Sequence, residues 1–145
     1  MLNHQKLYEY VANKWEKSIL SSLCDYIKIP NKSPHFDAAW DAHGFMARAV
    51  NHIVDWCRAH AVEGMMVEVM QLEGRTPLIF IEVPGQSKET ILLYGHLDKQ
   101  PEMEGWDEGL GPWQPVIKNG RLYGRGGADD EIGRASCRER VSSPV

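Results

Sequence analysis

Thr90-Ile91-Leu92-Leu93-Tyr94-Gly95-His96-Leu97-Asp98-Lys99-Gln100-Pro101 is an apolar run that breaks at a glycine into a histidine and an aspartate two residues apart. A short apolar run between polar residues and a glycine reads as a strand, and this one reads as buried. Two more such runs precede it, Met66 to Leu72 and Leu78 to Val83. After it, Val116 to Tyr123 carries Asn119-Gly120 at its centre, the strongest short signal for a β-hairpin. Upstream of Gly64 the period is helical. Leu7, Val11, Trp15, Ile19, Leu23 and Ile27 recur every four residues, which predicts an amphipathic helix from about residue 3 to residue 28. Pro30 and Pro34 end it in a loop. A second helix is predicted from about Asp37 to His60, with Met46, Ala49, Val50, Ile53, Trp56 and Cys57 as its apolar stripe. Two helices followed by strands predict an α/β or α+β layer fold.

The bulk properties exclude several function classes. A chain of 145 residues can bury the core of one ordinary domain, and 43% hydrophobic with 25% charged residues is a globular composition. A net charge of -4 gives no electrostatic footprint for nucleic acid or for an anionic membrane surface, so neither is expected as a partner. No apolar run has the length of a membrane span, and the start has no secretory signal pattern; a cytoplasmic location is the expectation. Cys24, Cys57 and Cys137 are odd in number and lack CxxC spacing, which argues against a disulfide framework and a cysteine zinc site.

The tail has a different character. Glu131 to Val141 reads Glu-Ile-Gly-Arg-Ala-Ser-Cys-Arg-Glu-Arg-Val, without apolar period or turn logic. The same eleven residues are the translation of a common short-read sequencing adapter. The expected division is therefore 1–130 as the segment to be read for fold and function and 131–145 as an artefactual, unstructured tail.

Two pieces carry the chemistry. In an extended segment residues two apart share a side, so His96 and Asp98 leave the strand end together. A neutral imidazole is a good zinc ligand, and a nearby carboxylate fixes its tautomer. By itself a His-x-Asp triplet is weak, and a histidine bonded to a turn is the commoner outcome. The second piece is Gly120-Arg121-Leu122-Tyr123-Gly124-Arg125-Gly126-Gly127-Ala128-Asp129-Asp130, a hairpin strand entering a glycine-rich loop that ends in two carboxylates. Glycines permit tight turns and a close approach to a ligand. The loop has neither a Walker pattern nor a placed GxGxxG, and its carboxylates suit a cation better than a phosphate. Alone it reads as a solvated turn. His4, His35, His43, His52 and His60 form no i, i+4 zinc pair and read as surface or core-edge residues.

Taken together, and with Trp106, Gly111-Pro112-Trp113 and Gly120 between them, the two pieces resemble the M20 metallopeptidases, in particular the dipeptidase and carboxypeptidase-like branch. The family pattern is Tyr-Gly-His-x-Asp-x-Gln-Pro, then a Trp, then Gly-(Lys/Arg)-Leu-Tyr-Gly-Arg-Gly-x-x-Asp-Asp, and residues 91–130 follow it closely. The resemblance implies an α/β fold: the N-terminal part of a zinc-peptidase-like catalytic domain, two long helices followed by a mixed sheet with a β-hairpin. It implies a hydrolase of peptide or dipeptide amide bonds that uses two Zn2+ per complete active site and water as nucleophile. His96 is then a ligand of one zinc, and Asp129 a carboxylate bridging both. Asp98 is the catalytic-site residue that orients His96. Asp130 is structural or supports a metal ligand from behind, and Arg125 pins the loop. The Asp98–Lys99 peptide bond is expected to be cis, as is frequent in the family. Lys99 departs from the pattern, standing where a small apolar residue is common. The family's general-base glutamate, further ligands and lid domain are not in this sequence. The chain is accordingly expected to be an inactive N-terminal fragment of a protein that dimerises through that lid. An N-acyl amino acid deacylase is the alternative within the family. A metal-free α/β binding module is the alternative outside it.

Overall fold

The N-terminal helix forms because its start is capped and its later turns have a core to bury against. In the computed structural model, which describes residues 3–128, the Asn3 side chain accepts from the Lys6 amide at 3.1 Å and opens α1 (His4–Lys14). The chain passes through a π-helical turn, Trp15–Ile19, into α2 (Leu20–Ile27). The predicted single helix is thus continuous but widened in the middle. Its apolar stripe is used unevenly. Leu7 and Val11 remain exposed, whereas Leu23, Tyr26 and Ile27 are buried.

The second predicted helix is broken. A short α3 (Trp40–His43) stops at Gly44, whose φ of 68° lies in the left-handed region, and α4 (Phe45–Ala59) starts beyond it. Helix α4 buries Met46, Ala49, Val50, Val54 and Cys57. Hydroxyl–imidazole contacts bind it to the first helix: Ser18 Oγ to His60 Nε2 at 2.8 Å, and Ser22 Oγ to His52 Nε2 at 2.9 Å. Both histidines are therefore half-buried helix-packing residues, matching the core-edge reading.

Strands β1 (Met66–Met70) and β2 (Leu78–Glu82) pair antiparallel, with Met66 opposite Glu82 and Met70 opposite Leu78. Strands β3 (Val116–Lys118) and β4 (Arg121–Tyr123) form the predicted hairpin, with Asn119 at φ 54° and Gly120 at φ 72°. Two left-handed residues are what a type I′ turn requires, and Asn-Gly supplies them at least cost. Helices with two small antiparallel sheets give the expected α/β class.

One expected strand is absent. Thr90 to Tyr94 has no regular structure, and Ile91, Leu92, Leu93 and Tyr94 are 79–87% exposed. A run apolar on both faces becomes a strand when neighbours pair with both its edges. Among the described residues no backbone pairs with it. The buried cluster sits instead where α2 and its exit meet α4 and β4: Leu23, Tyr26, Ile27, Ile29, Ala49 and Leu122.

Candidate metal-ligand segment

The backbone around His96 is clamped from behind. The carbonyl of Leu97 accepts from the Tyr26 hydroxyl and from Asn31 Nδ2, the latter at 2.7 Å. One residue on, the Lys99 amide donates to the Asn31 carbonyl, and the Lys99 carbonyl accepts from the Ser33 amide, both at 2.9 Å. Residues 31–33 and 97–99 thus run side by side as a short parallel bridge. Leu97 packs against the buried cluster and Lys99 is fully buried. Alternation along the extended segment leaves the side chains of His96 and Asp98 partly exposed, each 34% accessible.

These two side chains meet. His96 Nδ1 stands 3.2 Å from Asp98 Oδ1 and 3.0 Å from the Asp98 carbonyl oxygen. Two acceptors at one ring nitrogen place the proton there. The lone pair is then on Nε2, which has no hydrogen-bond partner among the described residues. That is the tautomer a metal-ligating histidine needs, with the carboxylate holding ring orientation. Among the described residues no group of three or more His, Cys, Asp or Glu is close enough to hold a metal.

His96 and Asp98 line a cleft of about 340 Å³. Met46 and Ile53 of α4 and Leu78, Ile79 and Ile81 of β2 supply apolar walls. Beyond the clamp, the Lys32 ammonium bonds Glu102 at 2.9 Å. That bond, then a backbone N–H, hold the Glu102 carboxyl below the usual carboxylate range, with the Trp113 indole as a further donor.

The glycine-rich loop behaves differently from its sequence reading. A Cβ on Gly124 would stand 2.5 Å from Ile27 Cγ2, and one on Gly127 would stand 3.1 Å from Ile27 Cδ1. On Gly126 it would stand 2.6 Å from Lys99 Cε. The glycines therefore let the loop lie against the end of α2 and the Lys99 stem; the close approach is to the protein's own core. Arg125 holds the loop through its amide, which donates to the Pro112 carbonyl at 2.7 Å. Its Nε is buried without a hydrogen-bond partner among the described residues. Asp129 and Asp130 lie outside the described residues, as does the predicted tail.

Two expectations change. The Asp98–Lys99 bond is not cis, since no described peptide bond is. Its trans form is the lower-energy one and leaves the Lys99 amide on Asn31 and its carbonyl on Ser33. The supporting residues Tyr26, Asn31 and Lys99 were also missed. Tyr26 reads as one more apolar helix residue and Asn31 as a loop residue between two prolines, so neither position signals a partner some 66 to 71 residues away.

Two comparisons with known proteins bear on this segment. Residues 92–140 match the model of Peptidase family M20/M25/M40. The matched span crosses Asp130 into the residues that read as adapter. An uncharacterized metallohydrolase of Methanocaldococcus jannaschii is 37% identical over 60 residues. That alignment covers 41% of this chain and 15% of the archaeal protein, so the chain spans a small part of the length of this relative. Among the described residues no helix is long and apolar enough to cross a membrane.

Proposed function

We propose that this segment supplies His96 and Asp129 to a two-zinc hydrolytic centre that cleaves the amide bonds of peptides or dipeptides. The observation that carries the reading is the His96–Asp98 pair: Nδ1 is engaged at 3.2 Å by the carboxylate, leaving Nε2 to bind. The donor set fits zinc, which takes imidazole nitrogen and carboxylate oxygen. A zinc ion held by His96 and Asp129 would supply a water of lowered pKa and a Lewis acid for the scissile carbonyl. The chain's own residues do the rest. Asp98 keeps the proton on Nδ1, and the Leu97 clamp fixes the backbone from which both side chains project. The apolar wall of Met46, Ile53 and β2 would exclude water from one side of a bound peptide. One histidine and one carboxylate cannot saturate two zinc ions, so residues 1–130 alone should bind zinc weakly and hydrolyse nothing above background.

The test compares zinc content and hydrolysis of dipeptide and N-acyl amino acid panels, using residues 1–130 and the full-length protein of this family. His96→Ala and Asp129→Ala in the full-length protein should each empty a metal position and abolish turnover. Asp98→Ala should retain more metal than either, weakening zinc binding by about 10- to 100-fold. Full zinc occupancy in His96→Ala would overturn the assignment. Preference for N-acyl amino acids would redirect it to a deacylase.

A further inference from the structure

Lys99 is fully buried, although lysine is among the residues least often found so. Its ammonium donates to the carbonyls of Tyr26 and Ile29 at 2.8 Å, with the Ile27 carbonyl at 3.5 Å. These belong to the last turn of α2 and its exit, where carbonyls lack helical partners and the helix dipole is negative. The same nitrogen lies 3.9 Å from the Tyr26 ring centroid and 5.4 Å from that of Trp113. The methylene stem meets the glycine loop so closely that a Cβ at Gly126 would come within 2.9 Å of Cγ and Cδ and within 2.6 Å of Cε. One side chain therefore touches the end of α2 and the loop leading to Asp129, while its backbone continues directly from Asp98.

We propose that Lys99 is a positioning residue that sets the spacing between the His96–Asp98 segment and the glycine loop before any metal binds. Its ammonium anchors the first segment to the carbonyl end of α2. Its stem is the surface on which Gly126 rests. The consequence for zinc rests on the reading of His96 and Asp129 as ligands. The spacing itself does not.

The test uses the full 145-residue chain with Lys99→Met, which keeps the stem but not the donors, and Lys99→Arg, which keeps a cation. The ring nitrogens of His96 and the amide of Gly126 are followed by NMR without metal, and Zn2+ affinity is measured by competition with a chromophoric chelator. Lys99→Met should shift or broaden both the His96 and the Gly126 signals under conditions where circular dichroism shows native helix content. It should also weaken Zn2+ binding by about tenfold or more. Lys99→Arg should restore the His96 signals in part. If Lys99→Met only lowers the melting temperature and leaves both sets of signals in place, the proposal is overturned. If Lys99→Met does not fold, Gly126→Ala decides: it presses on the Lys99 stem, and an unmoved His96 ring would overturn the proposal equally. The metal-free signals judge Lys99 whatever the Zn2+ affinity of the wild-type chain, which an incomplete ligand set keeps weak, whereas the ligand reading is judged by zinc occupancy of His96→Ala in the full-length protein.

Discussion

Single side chains show how local electrostatics is shared out around the segment. Lys32 and Glu102 join the 31–33 strip to the stretch after Pro101, and the Glu102 carboxyl is held low by the Lys32 ammonium first and by a backbone N–H second. A depressed folded-state pKa means that the unfolded chain binds the proton more readily. The contribution to stability is thus complete above the ordinary glutamate value and is lost as pH falls through the lower folded value. The pair is partly exposed, so the effect is small and weakened by salt. In urea denaturation, Glu102→Gln should be less stable than wild type at neutral pH, with the difference shrinking below about pH 4. A difference independent of pH would mean that the carboxylate charge contributes nothing. The cysteines fit a quiet environment: burial pushes the Cys57 thiol up, and burial followed by Asp25 does the same for Cys24, so neither is an activated nucleophile.

Among the elements, the glycine-rich loop separates steric from conformational demands. At Gly124 a Cβ would collide with Ile27 Cγ2 at 2.5 Å, and φ is 153°. At Gly44 φ is 68° but no atom lies within 4 Å of the Cβ position. Gly124→Ala should therefore cost about 2 to 4 kcal/mol, combining overpacking with backbone strain. Gly44→Ala should cost only about 1 to 2 kcal/mol, from the left-handed backbone alone. The denaturation midpoints of the two variants check this ranking, and equal losses would show that Gly124 is not pressed against α2. The π-helical turn has a structural role of its own. It carries Ser18, whose hydroxyl meets His60 and accepts from the Trp56 indole at 3.0 Å, so the widened turn is joined to α4 by polar contacts.

Across the whole molecule, order follows the clamp rather than the hydrophobicity of the chain. Ile91, Leu92 and Leu93 belong to one of the most apolar runs in the sequence yet are exposed, while the Lys99 amide a few residues later is bonded to Asn31. Hydrogen exchange should follow the pairing. Amides of 91–93 should exchange at rates close to those of an unstructured chain, and those of Lys99 and Ser33 should be protected. Protection of 91–93 equal to that of β1 and β2 would reveal a backbone partner beyond the described residues.

Periodicity and turn chemistry determined the helices, the β1–β2 strands and the β3–β4 hairpin from sequence alone. Each depends on contacts between residues close in the chain, as with Asn119-Gly120. The pattern from His96 to Gly124 also carried the resemblance to the M20 motif, and spacing by two was enough to put His96 and Asp98 on one side. Tertiary structure alone decided the rest. Whether Ile91 to Tyr94 is a strand depends on neighbours for both of its edges, which no local pattern contains. The glycines of residues 124–127 face Ile27 and Lys99, and the Leu97 carbonyl is held by Tyr26 and Asn31 from the other end of the chain. A lysine at position 99 looks like a departure from the family pattern in one dimension. In three it lies buried where the open carbonyls of a helix end can accept its ammonium, because folding brings the end of α2 to the residue that follows Asp98.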